Sequence, residues 1–166
     1  SGDEVVRIAT EMAELAAGPM ANDDQAIEAY QRVLLVDPSN SGALSGLEAL
    51  YQKSERWDGV AELLDQQARA LESKATDDSD ARDGAVAALE RLAAMYREDG
   101  KLADANALFD VLQRLHGVAP AHAASEELAT QYRRDGRWRH LADVLADRLD
   151  STEDVDAKVA IAAELY

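Results

Sequence analysis

Apolar and polar positions alternate along this chain with the period of an α-helix, in stretches that are separated by short turns. Within each stretch, apolar side chains recur three and four residues apart, as at Ala26, Tyr30 and Val33, so that they share one face. Sustained alternation of β-branched and polar residues, which would indicate strands, does not occur in the sequence. The pattern predicts helices over residues 4–17, 23–36, 40–53, 57–72, 81–98, 102–115, 121–134, 138–150 and 154–166.

The helical pattern itself repeats. Three positions recur 81 residues further along the chain, where Leu47, Tyr51 and Trp57 reappear as Leu128, Tyr132 and Trp138. A unit repeated along a chain builds an extended surface, whereas a catalytic pocket needs unlike groups brought together once. The repetition therefore favours a binding array over an enzyme.

Alternate helices are expected to pair as antiparallel hairpins, because a small residue in the first helix lets the second approach closely. The pairs resemble tetratricopeptide repeats, whose unit of about 34 residues has a fixed order of apolar, small and aromatic positions. The segment from Leu89 to Leu115 carries most of them, at Leu92, Ala93, Tyr96, Gly100, Leu102, Ala105, Phe109 and Leu112. The sequence departs from the family pattern at Glu48, Val60 and Leu141.

This resemblance implies an all-α fold, a right-handed α-solenoid of antiparallel helix pairs with about four repeats and a final unpaired helix. The duplication predicts two related modules of roughly 80 residues, 4–80 and 81–150, followed by the first helix of a further repeat at 154–166. Long bacterial arrays of this family are built in the same way. We therefore expect a fragment of a longer protein, with end-to-end self-association covering the bare face of its last helix.

Charge narrows the range of partners. The formal net charge is −16, from 33 acidic and 17 basic residues, and a field of that sign repels nucleic acid and anionic lipid. RNA-binding helical repeats are disfavoured for the same reason. The apolar runs are too short for membrane insertion, and the absence of cysteine excludes disulfides.

The aromatic residues are interpreted as core. Trp57 and Trp138 open second helices, where the family places a ring between the paired helices, and packing is favoured over ligand stacking. Truncation of Trp138 to alanine is then expected to cost about 3–5 kcal/mol. Tyr51, Tyr96 and Tyr132 are interpreted as wedges whose hydroxyls reach the turn.

No motif predicts chemistry. His116, His122 and His140 lack the spacing of zinc ligands, and we interpret them as surface or turn residues. The acidic run from Asp77 to Asp83 fails the calcium-loop pattern, and neither a nucleophile elbow nor a phosphate-binding glycine loop is found. We predict no metal, no cofactor and no catalytic residue.

The family resemblance also implies a binding surface, the concave groove lined by the first helix of each pair. It places the following residues on that groove: Thr10, Glu14, Ser45, Ala49, Gln52, Glu90, Ala94, Arg97, Glu126, Thr130 and Arg133. These residues do not form the Lys-Asn clamp with which one subfamily holds a terminal carboxylate. The groove floor is small and mildly acidic, which suits a protein segment carrying Lys or Arg, although carboxylates that are merely solvated would give the same pattern.

Two alternatives remain open. The basic cluster Arg134, Arg137 and Arg139, next to His140, would receive an acidic partner or phosphate unless it is simply a solvated turn. The resemblance implies a non-catalytic protein-interaction scaffold, but the array would equally serve as a regulatory or spacer segment of a larger enzyme or signalling protein. In that case the catalytic domain lies outside this segment.

Overall fold

The computed structural model describes residues 7–8, 10–12, 15, 22–37 and 40–164. Within these ranges the fold is all-α, as predicted, and its helices are α1 (Asp23–Val36), α2 (Ser41–Lys53), α3 (Trp57–Glu72), α4 (Ser79–Tyr96), α5 (Ala105–Val118), α6 (Ala124–Arg134), α7 (Trp138–Ser151) and α8 (Val155–Glu164). The described residues between 7 and 15 are helical too. Glu14 and the outer ends of the predicted helices 4–17 and 154–166 lie outside the described residues.

The chain divides into two compact units, Ser1–Leu63 and Leu64–Tyr166, with the boundary inside α3. In the first unit α1 packs on α2, and in the second each helix from α4 to α8 packs on the next one along the chain. Helices that pack on their sequence neighbours are typical of repeat proteins. The module boundary near residue 80 concerns the duplication of the sequence and stays a prediction.

The first unit contains an antiparallel helix pair. Lys53 at the end of α2 lies 2.8 Å from Asp23 at the start of α1, as only antiparallel helices allow. Gln31 on α1 donates a hydrogen bond of 3.0 Å to the hydroxyl of Tyr51 on α2. Apolar side chains of both helices fill the space between them: Ala26, Ile27, Tyr30, Val33, Ala43, Leu47 and Leu50.

The core of the second unit is made of leucines. Side chains from four of its helices are no more than 1% exposed, namely Leu89, Leu92, Leu115, Leu128 and Leu145. Asp78 and Asp104 cap α4 and α5 by accepting hydrogen bonds from backbone N–H groups of the first turn. Burial of these leucines, which form one apolar stripe on each helix, determines which helix faces pack together.

Arg114 on α5 joins α5 to α3 within the second unit. Its guanidinium donates two hydrogen bonds to the Glu72 carboxylate, at 2.9 and 3.0 Å, and another to Asp65. Burial raises the pKa of Asp65, but hydrogen bonds and positive charge from Arg69 and Arg114 lower it more, so the pKa lies below its usual value. Burial lowers the pKa of Arg114, but its two carboxylate partners raise it more.

The turn between α4 and α5 differs from the prediction. The expected helices 81–98 and 102–115 each lie two or three residues from the observed ones, and Leu102 falls in the turn, with its N–H bonded to a carbonyl of α4 at 2.9 Å. A Cβ on Gly100 would lie 2.4 Å from two carbonyl oxygens at the end of α4. Glycine permits this close approach, which ends α4 early and delays α5 until Asp104 can cap it.

Buried tyrosines confirm part of the aromatic interpretation. Tyr51 is 6% exposed and Tyr132 is 3% exposed, as expected for wedges between helices. Their hydroxyls do not reach the turn, however. Each accepts a hydrogen bond from a glutamine on the preceding helix, Gln31 at 3.0 Å and Gln113 at 2.9 Å.

The interpretation of Trp138 as a core ring is wrong, because its side chain is 64% exposed. The faces of the neighbouring Tyr132 ring are taken by other groups: His140 stacks at 5.3 Å between centroids, and the Arg137 guanidinium lies 4.9 Å from the centroid. The indole therefore lies at the surface. Trp57, at the equivalent position of the first unit, is half-buried.

The interpretation of His116 as a surface or turn residue is also wrong. Its side chain is only 12% exposed, and its ring nitrogens lie 3.0 Å from the Ser125 hydroxyl and 3.2 Å from the Asp147 carboxylate. His116 lies on α5, Ser125 on α6 and Asp147 on α7. The ring therefore connects three successive helices.

A left-handed residue follows the end of α2 in the first unit and the end of α6 in the second. Glu55 has φ 54° and Gly136, 81 residues later, has φ 66°. A residue with a Cβ costs about 1 kcal/mol in this conformation, whereas glycine adopts it without strain. The first unit therefore has glutamate where the second has the favoured residue.

Replacing Glu55 with glycine is expected to raise the free energy of unfolding by about 1 kcal/mol, because the strain of the left-handed side chain is removed. The matched change Gly136→Glu should lower it by a similar amount. Urea unfolding followed by circular dichroism would measure both. Equal effects of the same sign would contradict this explanation.

Candidate functional site

In the second unit the predicted groove residues lie on α4, at its end and on α6. All are exposed or half-buried, and together with α8 they define what we call the first-helix surface: Glu90, Ala94, Arg97, Glu126, Thr130 and Arg133. Thr130 bonds back to the backbone carbonyl of Glu126 at 2.9 Å. The other side chains are available to interact across helices.

Two ion pairs of the same kind connect the helices of the first-helix surface. Arg97 lies 2.9 Å from Glu127 on α6, and Arg133 lies 2.6 Å from Glu164 on α8. The two arginines are 36 residues apart and the two glutamates 37, so the repeat spacing reproduces the contact. The ion pairs join the end of α4 to α6, and α6 to α8. Sequence reasoning missed both glutamates, although this spacing could have indicated them.

Two further contacts leave carboxylates at the outer edge of the surface. Glu90 lies 2.8 Å from His122, and its side chain is 54% exposed against 23% for the histidine. Glu126 lies 3.7 Å from Arg148, and the two side chains are 74% and 15% exposed. In both contacts the cationic or titratable partner is covered while the carboxylate faces solvent.

A cavity of about 380 Å³ opens beside the Glu126 carboxylate. Glu126 from α6, Arg148 from α7 and Ile161 from α8 line it, together with residues of the α7–α8 turn. Its wall combines a buried apolar side chain with several charged ones. Such a concave site can receive one side chain of a partner segment.

The remaining predicted groove residues belong to the first unit. Ser45, Ala49 and Gln52 are exposed on α2, and Gln52 donates a hydrogen bond of 2.8 Å to Glu48. Thr10 is half-buried among the described helical residues. Glu14 lies outside the residues described.

The secondary basic patch lies at the turn between α6 and α7. Arg134, Arg137 and Arg139 are all exposed. The Arg137 guanidinium lies over two rings, 4.9 Å from the centroid of Tyr132 and 5.7 Å from that of Phe109. Across the described ranges, neither Arg134 nor Arg139 has a hydrogen-bond or ion-pair partner.

Metal-binding and membrane-spanning features were sought in the described part of the chain, residues 7–8, 10–12, 15, 22–37 and 40–164. There, no group of three or more His, Cys, Asp or Glu side chains is arranged to hold a metal ion. Nor does any helix in that part have the length and apolar character needed to cross a membrane. Val155 and Val159 on α8 are 72% and 65% exposed, and end-to-end self-association stays a prediction.

Helices pack on their sequence neighbours, α1 on α2 in the first unit and α4 to α8 in series in the second, as is typical of α-helical repeat proteins. Residues 43–79 match the family model of the tetratricopeptide repeat, which confirms the predicted resemblance for this segment. The segment from Leu89 to Leu115, which carries most family positions, lies outside this match. Its long turn, with Leu102 outside α5, departs from the family unit.

No curated protein matches the chain significantly. Among solved structures, one titled "Crystal structure of MamA protein" aligns with 90% of this chain and 92% of its own. The identity is 17% and the TM-score 0.37. At that TM-score the alignment supports no inference about this chain.

Proposed function

We propose that this chain is a non-catalytic scaffold that binds an extended or helical protein segment carrying Lys or Arg. The binding site is the first-helix surface of the second unit. Tetratricopeptide repeats are typically protein-binding scaffolds, and the match at residues 43–79 supports this class of function.

The observation that carries the proposal is the outward position of the carboxylates. Glu90 and Glu126 are far more exposed than the His122 and Arg148 side chains beside them. A partner's ammonium or guanidinium group can therefore approach either carboxylate from solvent. The cavity next to Glu126 offers room for the stem of such a side chain, since Lys and Arg bury their methylene groups readily.

The net charge of −16 supports the same partner chemistry. A field of this sign raises the association rate of a basic segment and opposes an acidic one. Arg97 and Arg133 face this surface too, but each is paired with a glutamate. These arginines are thus engaged with their own helices, and the exposed carboxylates select the partner.

The test begins with selection of peptides from a random library displayed on phage, using the unmodified chain as bait. We expect the selected peptides to be enriched in Lys and Arg. The double change Glu90→Lys with Glu126→Lys should weaken a selected peptide at least about tenfold, which is about 1.4 kcal/mol, by isothermal titration calorimetry.

A matched control makes the same change of net charge on the second helices. Asp110 on α5 and Asp143 on α7 are both exposed, and their replacement by lysine should alter affinity by less than about threefold. Equal losses in the two double variants would show that general charge governs binding. Equal affinity of the first variant and the unmodified chain would place the binding site elsewhere.

A further inference from the structure

The turn before α7 is a second version of the turn before α3. In both units the guanidinium of an arginine covers the ring of the buried tyrosine: Arg56 lies 5.0 Å from the centroid of Tyr51, and Arg137 lies 4.9 Å from that of Tyr132. The two arginines are 81 residues apart, as are the left-handed residues that precede them. Because the backbones of the turns agree, differences between their side chains are informative.

The two turns differ in the charge and in the ion pairing of their equivalent residues. Lys53 in the first turn is paired with Asp23 at 2.8 Å, and Asp58 follows the tryptophan. The corresponding residues of the second turn are Arg134 and Arg139, which have no partner within the described ranges. The second turn therefore carries two guanidinium groups that bind no other described side chain of its unit.

The tryptophans of the two turns differ in exposure to solvent. Trp57 is half-buried and interacts within the fold, whereas Trp138 is 64% exposed. Leaving an indole in water forgoes the free energy that its burial would give, at about 25 cal/mol per Å². The Tyr132, His140 and Arg137 stack lies beside it and gives the turn a packed base.

We propose that Arg134, Arg137, Trp138 and Arg139 form a docking site for an acidic segment of another protein, with an apolar side chain among its glutamates or aspartates. Guanidinium groups bind carboxylates through paired hydrogen bonds, and the exposed indole covers the apolar side chain. This site is separate from the first-helix surface, and the inference does not depend on the proposed function.

Charge complementarity identifies the occupant. Positive charge is concentrated in this patch, although the chain as a whole has a net charge of −16. A short acidic segment can therefore reach the patch, whereas a long polyanion would be repelled by the rest of the molecule. Single-stranded nucleic acid needs a positively charged groove that follows its backbone, with several stacking rings. Here the cations span one turn and one indole is open, which fits a peptide.

The fluorescence of the Trp138 indole can show whether a peptide occupies the docking site. In a Trp57→Phe background Trp138 is the remaining tryptophan, and its emission should shift to shorter wavelength as a synthetic peptide of glutamates with two leucines is added. The double change Arg134→Glu with Arg139→Glu should weaken the peptide about tenfold or more. Both arginines are exposed and have no partner among the described residues, so the variant should keep its helicity by circular dichroism.

The control variant, Arg32→Glu with Lys74→Glu, has the same net charge and alters exposed positions outside the patch. It should bind within about threefold of the unmodified chain. Anisotropy of a labelled peptide gives the same affinities without any tryptophan substitution. An unchanged emission, equal weakening in both variants, or tighter binding of an RNA oligonucleotide of similar length would each overturn the proposal.

Discussion

Replacing Leu128 with alanine is expected to lower the free energy of unfolding by about 3 kcal/mol, because its side chain is 1% exposed and a cavity would remain. Replacing Trp138 with alanine should cost less than about 0.5 kcal/mol, although the removed side chain is larger, because the indole is 64% exposed. Urea unfolding of the two variants, followed by circular dichroism, measures both values.

The two substitutions distinguish the surface position of Trp138 in the structure from the core position that the sequence pattern predicts. The family pattern assigns Trp138 to the core, from which its truncation would cost more than that of a leucine. A larger loss for Trp138→Ala than for Leu128→Ala would therefore restore the core position. It would also remove the basis of the docking site at the α6–α7 turn.

Replacing Arg114 with alanine is expected to cost about 2 kcal/mol, because Glu72 would be left half-buried without its partner. The value is below that of a fully buried ion pair because Asp65 remains 31% exposed and keeps its contact with Arg69. The matched change Arg69→Ala removes an arginine that is 68% exposed and should cost less than about 0.5 kcal/mol. Equal losses in urea unfolding would contradict the account of this ion-pair network.

The same network predicts a dependence on pH. The pKa of Asp65 is lower in the folded protein than its ordinary value, so the carboxylate stabilises the fold above the unfolded-state pKa of about 3.9. This contribution is lost as the pH falls through the depressed folded-state pKa. Unfolding free energies measured between about pH 5 and pH 3 should therefore fall less steeply for Arg114→Ala than for the unmodified chain.

Helices were the part of the fold that the sequence predicted best. The bounds of α1 and α3 agree with the expected 23–36 and 57–72, because a continuous apolar stripe and a clear turn signal mark both ends. The error at the α4–α5 turn arose from the close approach of Gly100 to two carbonyl groups. That contact depends on the path of the backbone, which residue types alone do not fix.

Tertiary contacts explain the other errors. His116 is held by residues of α6 and α7, and Arg114 by residues of α3, so their partners lie far away in the sequence. Trp138 was assigned by family position, but His140 and Arg137 already cover the ring beside it. Competition between side chains for one ring cannot be read from periodicity.

The sequence predicted which residues lie on the first-helix surface, and the structure added how exposed its charged side chains are. Repeat spacing placed Glu90 and Glu126 on the first helices, where both are exposed. That their partners His122 and Arg148 are largely covered follows from the packing of the turn and of α7. The difference in exposure is what gives the surface its acidic edge.

Amide NMR of the unmodified chain, titrated with a selected basic peptide, tests most directly whether the first-helix surface is the binding site. We predict that the largest shifts fall on α4, α6 and α8, around Glu90, Glu126 and Ile161. Shifts concentrated instead on the outer faces of α5 and α7, near Asp110 and Asp143, would contradict a binding site on the first-helix surface.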